Sequence, residues 1–150
     1  MGETDIKVIE KRKFLYRAVD KDGNAVDFLL RAHWDKAAAQ RYFEKAIIRN
    51  DAPEIVTIDK SGANQAALKA IYTGRECPIK IRQQKCLNNI VEQDHRAIKR
   101  RTRPMKGFKD FQSAQVILGG IELMHVIAKK QMETSGRART PAEQFYSLAA

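Results

Sequence analysis

Residues 88–101, NNIVEQDHRAIKRR, carry a carboxylate, a histidine and several cations at spacings that a helix would gather on one face. At about 100° per residue, Glu92, His95 and Lys99 fall on one side of that helix, together with Arg96. Such a face could hold a metal ion beside a phosphate backbone. A solvated helix face with internal salt bridges would give the same pattern, so this segment alone leaves both interpretations open. Asp94 points to the apolar side, where we expect it to bind a backbone or basic group.

A second carboxylate, Asp59, ends a short apolar segment, EIVTID, whose pattern predicts a buried strand. Phosphodiester cleavage and strand transfer use two Mg²⁺ ions about 3.5–4 Å apart, held by carboxylates. Asp59 and Glu92 are residue types that suit this chemistry. The pair by itself is weak evidence, because two acidic residues at this separation are common.

The net charge is +10 and the sequence pI is about 9.8, which favours a polyanionic partner. The cations are concentrated at and just after the end of the helix that carries Glu92, at Lys99, Arg100, Arg101 and Arg103. Clusters of this kind often only aid solubility. Beside a candidate acidic site, they favour DNA or RNA.

No apolar run approaches the roughly 18 residues of a membrane-spanning helix, and residues 1–20 lack an apolar signal segment. We therefore expect no membrane partner and a cytoplasmic location. Cys77 and Cys86 fit neither a disulfide framework nor a zinc-binding spacing, so both are expected to be reduced.

Hydrophobic periodicity predicts three antiparallel strands (residues 4–9, 13–20 and 25–31), joined between the second and third by a turn at Asp20 and Asp22. A helix through residues 37–48 with Asp35 as its cap, a strand 54–59, a helix 65–72 stopped by Gly74 and a strand 78–83 follow. The helix that carries Glu92 and a long apolar helix, residues 108–131, complete this part. The order βββ-α-β-α-β-α-α predicts an α/β fold with a mixed five-stranded sheet flanked by helices, in the manner of ribonuclease H.

Residues 1–132 are expected to form this domain, and residues 133–150 a basic linker with a short C-terminal helix. Thr140 and Glu143 have the spacing of a capping box at the start of that helix. Gly119 and Gly120 reduce helix propensity in the long apolar helix, so we expect a close contact there with another element.

Seven short sequence segments are more specific than any of these charge or periodicity patterns. They are LYRAVD (15–20), DFLL (27–30), TIDKSGAN (57–64), IRQ (81–83), LNNIVEQDHRAIKRRTRPM (87–105), GFK (107–109) and GIELMH (120–125). Together they closely resemble the catalytic domain of bacterial insertion-sequence transposases of the DDE type, the small single-protein elements that move by forming cointegrates. The resemblance covers nearly the whole chain.

The resemblance implies a ribonuclease H-like, retroviral-integrase-like core that uses two Mg²⁺ or Mn²⁺ ions to cut and join DNA. Its expected partners are terminal inverted repeats, target DNA and further copies of the chain, which would meet through a surface such as the long apolar helix; no small-molecule substrate is expected. By motif, Asp59 is the second acidic ligand, Glu92 is the third, and Lys99 contacts DNA near the scissile phosphate. The remaining DNA-binding candidates are His95, Arg96, Arg100, Arg101 and Arg103. When bound to DNA, the protein would associate with the nucleoid.

The first acidic ligand departs from the pattern. Relatives resemble M-D-E-T-Y-I-K-V, whereas this chain has MGETDIKV, so Gly2 occupies the ligand position. Asp5 is a weak substitute because alternate side chains of a strand point to opposite faces, and Glu3 fails by the same argument. Only a bulge or a frayed strand could re-aim either residue. We therefore expect a transposase fold whose catalytic activity is impaired.

The chain also starts at this motif, so the helix-turn-helix segment that precedes it in such transposases is absent from the sequence. Either a longer protein was cut down or the gene is a remnant. The competing interpretation is a catalytically inactive DNA-binding or interaction module, and the residue at position 2 discriminates between the two. A nuclease or a basic RNA-binding protein is a more distant alternative.

Overall fold

Three antiparallel strands open the chain, as the alternating pattern predicts. A computed structural model describes residues 1–33, 36–58, 62–73, 79–83, 89–132 and 140–148. In it, β1 (Gly2–Val8), β2 (Lys11–Val19) and β3 (Ala25–Arg31) form one sheet in the order β1-β2-β3. The turn between β2 and β3 is fixed by Asp20, whose carboxylate accepts hydrogen bonds from the backbone N–H groups of Asp22 and Asn24.

The remaining elements follow in the predicted order: α1 (Lys36–Asn50), β4 (Ile55–Ile58), α2 (Gly62–Tyr72), β5 (Lys80–Gln83), α3 (Asn89–Thr102), α4 (Phe111–Ala128) and α5 (Pro141–Ser147). The five predicted strands are therefore present. Among the described residues they form two hydrogen-bonded sheets rather than the single mixed five-stranded sheet predicted: β4 and β5 pair with each other in parallel, apart from β1-β2-β3. The amino nitrogen of Met1 donates to the Thr57 carbonyl at 2.7 Å and joins the start of β1 to β4.

The β1-β2-β3 sheet has a core on each of its two faces, since side chains alternate along a strand. One core joins β2 to α1, α2 and β4, with Tyr16, Tyr42 and Leu68 fully buried. The other joins β1 and β2 to α3 and α4 through Ile6, Val8, Leu15, Ile98 and Leu118. Helix α3 is thus seated on the side of the sheet opposite α1.

Beneath α3, four buried side chains and the partly exposed Lys129 form one charged group, which we call the Arg17 cluster: Arg17, Asp94, Glu122, His125 and Lys129. Arg17 contacts Asp94 at 2.5 Å and Glu122 at 2.7 Å, although its side chain is only 1% exposed. His125 and Lys129 contact the other oxygen of Asp94, at 2.7 and 2.5 Å. The expectation that Asp94 binds a basic group is confirmed, and the cluster ties β2, α3 and α4 together.

The two carboxylates of the Arg17 cluster respond differently to burial. Burial alone would raise the pKa of Asp94, but hydrogen bonds from Lys129 and His125 and the charge of Arg17 outweigh it, so this pKa lies below its usual value. Burial raises the pKa of Glu122 above its usual value, against the opposing charge of Arg17. Asp94 is therefore the carboxylate that the cluster holds most firmly in its charged form.

Helix α4 differs from the sequence expectations at its start and at its glycines. It begins at Phe111 rather than at residue 108, because the Asp110 carboxylate accepts from the Ser113 N–H at 2.7 Å and caps the helix. Phe108 instead pairs with the end of β1: its backbone N–H donates to the Lys7 carbonyl, and its carbonyl accepts from the Ile9 N–H. The predicted close contact at Gly119 and Gly120 is wrong: a Cβ at either position would meet no described heavy atom within 4 Å.

Helix α4 is also long and apolar enough, by length and composition, to cross a membrane, so the expectation that no run approaches that length is wrong for it. Ala114 and Leu118 are fully buried in the core, and Glu122 and His125 enter the Arg17 cluster. One side of α4 therefore packs into the core. Its outer side exposes apolar residues, with Val116 70% exposed.

The C-terminal helix α5 begins as predicted. Thr140 and Glu143 form the reciprocal capping box, and α5 packs against α4. The expected linker at 133–139, the Asp35 cap and the Gly74 stop lie outside the described residues.

Candidate functional site

Helix α3 presents the predicted polar face to solvent. Glu92 and Arg96 are exposed and Lys99 is partly exposed, whereas Val91, Asp94 and Ile98 are buried. This division follows from the helical period, since residues three and four apart share a face. The sequence therefore placed these side chains correctly relative to one another.

The polar face of α3 forms one wall of an open cleft of about 670 Å³, whose other wall is β1 and β2. The residues lining this cleft are Glu3, Thr4, Asp5, Arg12, Phe14, Glu92, His95, Arg96, Lys99 and Arg103. Four of them are permanently cationic, which suits a polyanion. A second groove, of about 660 Å³, is lined mainly by apolar residues such as Phe43, Ile47 and Val56, and does not include Glu92.

The cations of the cleft are only partly those predicted. Arg96, Lys99 and Arg103 line it, but Arg100 and Arg101 do not, because they fall on other sides of α3. Sequence reasoning missed Arg12. It lies on β2 opposite Lys7 of β1, a pairing that depends on strand register and has no local motif.

His95 also lines the cleft but does so as a buried group, with the residue only 4% exposed. Burial, assisted by the charge of Arg17, lowers the pKa of His95 to about 4. Its Nε2 has no hydrogen-bond partner among the described residues. At neutral pH, His95 is therefore a neutral, buried part of the cleft wall and adds no positive charge to the cleft.

The two predicted metal-binding carboxylates cannot both be placed. Glu92 lies exposed in the cleft. Asp59 lies outside the described residues, immediately after Ile58, the buried last residue of β4. The geometry between the two carboxylates therefore stays a prediction.

Position 2 lies on the side of β1 that packs against α3. Gly2, Thr4, Ile6 and Val8 alternate as buried residues, and Ile6 and Val8 share a core cluster with Ile98 of α3. The β1–β2 register runs unbroken from Gly2 to Val8, so no bulge re-aims a neighbouring carboxylate. Glycine has no side chain, so position 2 contributes no carboxylate here.

Glu3 and Asp5 nevertheless reach the cleft, because β1 is the edge strand of its sheet. The Asn64 side-chain amide donates to the Glu3 carboxylate at 3.0 Å, and Asp5 lies 3.5 Å from the Lys99 ammonium. Within the described parts of the chain, no three His, Cys, Asp or Glu side chains are arranged to hold a metal ion. These residues alone do not fit a two-metal site.

Comparison with known proteins gives the family. Residues 1–131 match the DDE domain family of IS240-type transposases. Over 135 residues, the chain is 35% identical to the transposase for insertion sequence-like element IS431mec and to the transposase for insertion sequence element IS257 in transposon Tn4003, both from Staphylococcus aureus. The matched region is 87% of this chain and 57% of each relative, so the chain spans little more than half their length.

The fold has a counterpart among solved structures. A chain in the cryo-electron microscopy structure of the simian T-cell lymphotropic virus intasome, in complex with PP2A regulatory subunit B56 gamma, superposes with a TM-score of 0.52 at 16% identity. The match covers 65% of this chain and 36% of that one, and it supports the predicted ribonuclease H-like, integrase-like fold. The family match and the identity to two insertion-sequence transposases agree with it: this chain belongs to the DDE domain family of insertion-sequence transposases.

Proposed function

We propose that this chain is the core of a transposase catalytic domain that binds DNA along the cleft beside α3. The observation that carries the proposal is the cleft itself, in which Arg12, Arg96, Lys99 and Arg103 surround the exposed Glu92. Cations arranged along a groove gain affinity by releasing counterions from a phosphate backbone. The proposed DNA partners are the terminal inverted repeats of an insertion element and its target, and the site of action is the cytoplasm at the nucleoid.

In this proposal Asp59 and Glu92 are the second and third acidic ligands for Mg²⁺ or Mn²⁺, and Gly2 occupies the position of the first. Two such ions would stabilise the attacking and departing oxygens during DNA cleavage and joining. The chain's own cations would position the phosphate, and His95 would support the cleft wall behind them as a neutral group. With one ligand lost, we propose that cleavage and strand transfer are impaired.

Metal titration tests this assignment. Mn²⁺ would be titrated by calorimetry into the natural chain, its Gly2→Asp variant and the Gly2→Asp, Asp59→Ala double variant. We expect appreciable binding only for Gly2→Asp, because a carboxylate at position 2 restores the first ligand and completes the set of three. Equal binding by the natural chain would mean that another residue, such as Asp5 or Glu3, completes the site, and impairment through Gly2 would be refuted.

A second candidate function, a DNA-binding or interaction module without catalytic activity, is favoured by the glycine at position 2. The two candidates separate in a strand-transfer assay with Mn²⁺ and DNA carrying the ends of a related element. The catalytic candidate predicts weak joining that Gly2→Asp increases. The module predicts DNA binding with no joining by the natural chain.

Pairing of copies is part of the proposal, since two element ends must be held together. The exposed apolar side of α4, with Val116, Leu123 and Met124 beside the open Gly120, offers a surface for a second copy. Sedimentation of the natural chain and of a Val116→Ser, Met124→Ser variant tests this. We expect self-association that the double substitution weakens; identical masses would rule out this surface.

A further inference from the structure

Among the cations of the cleft, Lys99 is the one that pairs with a carboxylate of the described residues. Its Nζ lies 3.5 Å from Oδ1 of Asp5, and both residues line the cleft. Within the described residues, Arg12, Arg96 and Arg103 form no ion pair. The lysine that resembles the DNA-contacting position is therefore the one that the protein itself neutralises.

The pair is placed so that it can be exchanged. The Lys99 side chain is 32% exposed and the Asp5 side chain is 52% exposed, so water and ions reach both groups. Exposed pairs of this kind contribute little to folding stability. A DNA phosphate that contacts Lys99 would have to displace Asp5, and until then the Asp5 carboxylate would repel it.

The position of Asp5 explains why it can act on Lys99 but not as a replacement for Gly2. It lies on the side of β1 opposite the buried residues Gly2, Thr4 and Ile6, and the strand register is regular there. The long lysine side chain reaches Asp5 across the sheet edge. Asp5 thus faces a cation at the rim of the cleft, away from the ligand position.

We propose that Asp5 sets the DNA affinity of the cleft and the salt dependence of that affinity. In the absence of DNA, Asp5 pairs with Lys99, and a backbone phosphate displaces it when DNA binds. The proposal rests on the proposed function, since it requires DNA to enter this cleft. It assigns Asp5 a role in DNA recognition rather than in metal binding. Removing its charge should therefore strengthen DNA binding.

The test is DNA binding by the full chain, measured by fluorescence anisotropy with a 30-base-pair duplex in EDTA over a range of salt concentrations. The variants are Asp5→Asn, Lys99→Gln and the double substitution. Glu10→Gln is the matched control, because Glu10 pairs with Lys7 at 3.2 Å outside the cleft and its loss changes net charge equally. Unchanged thermal unfolding midpoints would verify that each variant is folded.

We expect Asp5→Asn to raise affinity by about 3- to 10-fold near 0.1 M salt and to steepen the slope of log K against log salt by up to about 0.9, the value of one phosphate contact. Glu10→Gln should change affinity less than about 2-fold, by net charge alone. In the Lys99→Gln background, the effect of Asp5→Asn should shrink towards that of the control.

Two failures are distinguishable. If the natural chain and all variants fail to bind DNA even at low salt, the proposed function fails and this inference fails with it. If the natural chain binds and Lys99→Gln weakens binding, but Asp5→Asn equals Glu10→Gln, the cleft binds DNA and Asp5 does not regulate it. A loss of affinity in Asp5→Asn would also overturn the inference.

Discussion

Helix α3 has a charged cluster on each side, and the two clusters differ mainly in their access to water. On the inner side, Arg17 is 1% exposed and bridges two carboxylates; on the outer side, Lys99 is 32% exposed and meets one carboxylate at 3.5 Å. A buried charge left without its partner costs several kcal/mol, whereas an exposed pair contributes about 0–1 kcal/mol. The same residue types therefore hold the helix in place on one side and remain available for a ligand on the other.

This comparison also explains how the cleft keeps its shape. Asp94 and Glu92 are two residues apart, so they point to nearly opposite sides of α3. When the Arg17 cluster fixes Asp94, it fixes the rotation of α3 and hence the direction of Glu92, Arg96 and Lys99. The inner cluster thus positions the outer one.

The largest effect should come from breaking the inner cluster. We expect Asp94→Ala to lower the free energy of unfolding by about 3–5 kcal/mol, because Arg17, His125 and Lys129 lose their shared buried carboxylate. Urea denaturation measures this loss, with Asp5→Asn as the exposed-carboxylate control, which should change stability by less than about 1 kcal/mol. A loss for Asp94→Ala no greater than that of the control would contradict the comparison.

His95, between the two clusters, should give the next largest effect through pH. Its pKa is lowered from 6.5 to about 4 in the folded protein, so protonation is easier in the unfolded chain. Stability from this group is fully present above about pH 6.5 and is lost as the pH falls towards 4, amounting to roughly 3 kcal/mol. The raised pKa of Glu122 acts with the opposite sign.

Comparison with His95→Asn isolates the histidine contribution to this pH dependence. Urea denaturation of both proteins at pH 7, 6, 5 and 4.5 would give the two stability profiles. The profile of the variant should fall less steeply over this range, whatever its stability at pH 7. Parallel profiles would show that His95 does not titrate as a buried group.

The smallest effect on stability should come from the outer cluster. We expect Lys99→Gln to change the free energy of unfolding by less than about 1 kcal/mol, while reducing the slope of log K against log salt for DNA binding by less than about 0.9, because Asp5 already offsets part of this phosphate contact. Lys45→Gln is the control for net charge, since Lys45 of α1 is 34% exposed and pairs with Asp27 of β3 at 3.2 Å, outside the cleft. Equal losses of DNA affinity in the two variants would indicate a general charge effect.

Much of the fold could be predicted because its signals are local. Alternation along β1 to β3, the turn at Asp20 and the capping box at Thr140 depend on residues within a few positions of one another. The start of α4 was misplaced because Phe108 is held by a backbone pairing with Lys7, about a hundred positions away. The glycines of α4 were misread because their pattern cannot show whether a neighbour is present.

Sequence patterns predicted only the wall of the cleft that α3 forms. Helical periodicity placed Glu92, Arg96 and Lys99 together, and Asp94 opposite them. It could not place Arg12 in the same cleft or show that His95 is buried there, because both facts depend on how β1 and β2 pack against α3. The pairing of Asp5 with Lys99 likewise required the edge position of β1.

Residue identity and periods of two and 3.6 residues were enough to predict the family, the order of elements, the polar face of α3 and the absence of a carboxylate at position 2. Which charges are buried and which remain open to solvent became apparent from the packing of the folded chain. Arg17 and Arg12 lie five residues apart on β2, yet one is sealed within the core and the other lines the cleft. The energy of a charge depends on the water and partners around it, and distant segments supply both.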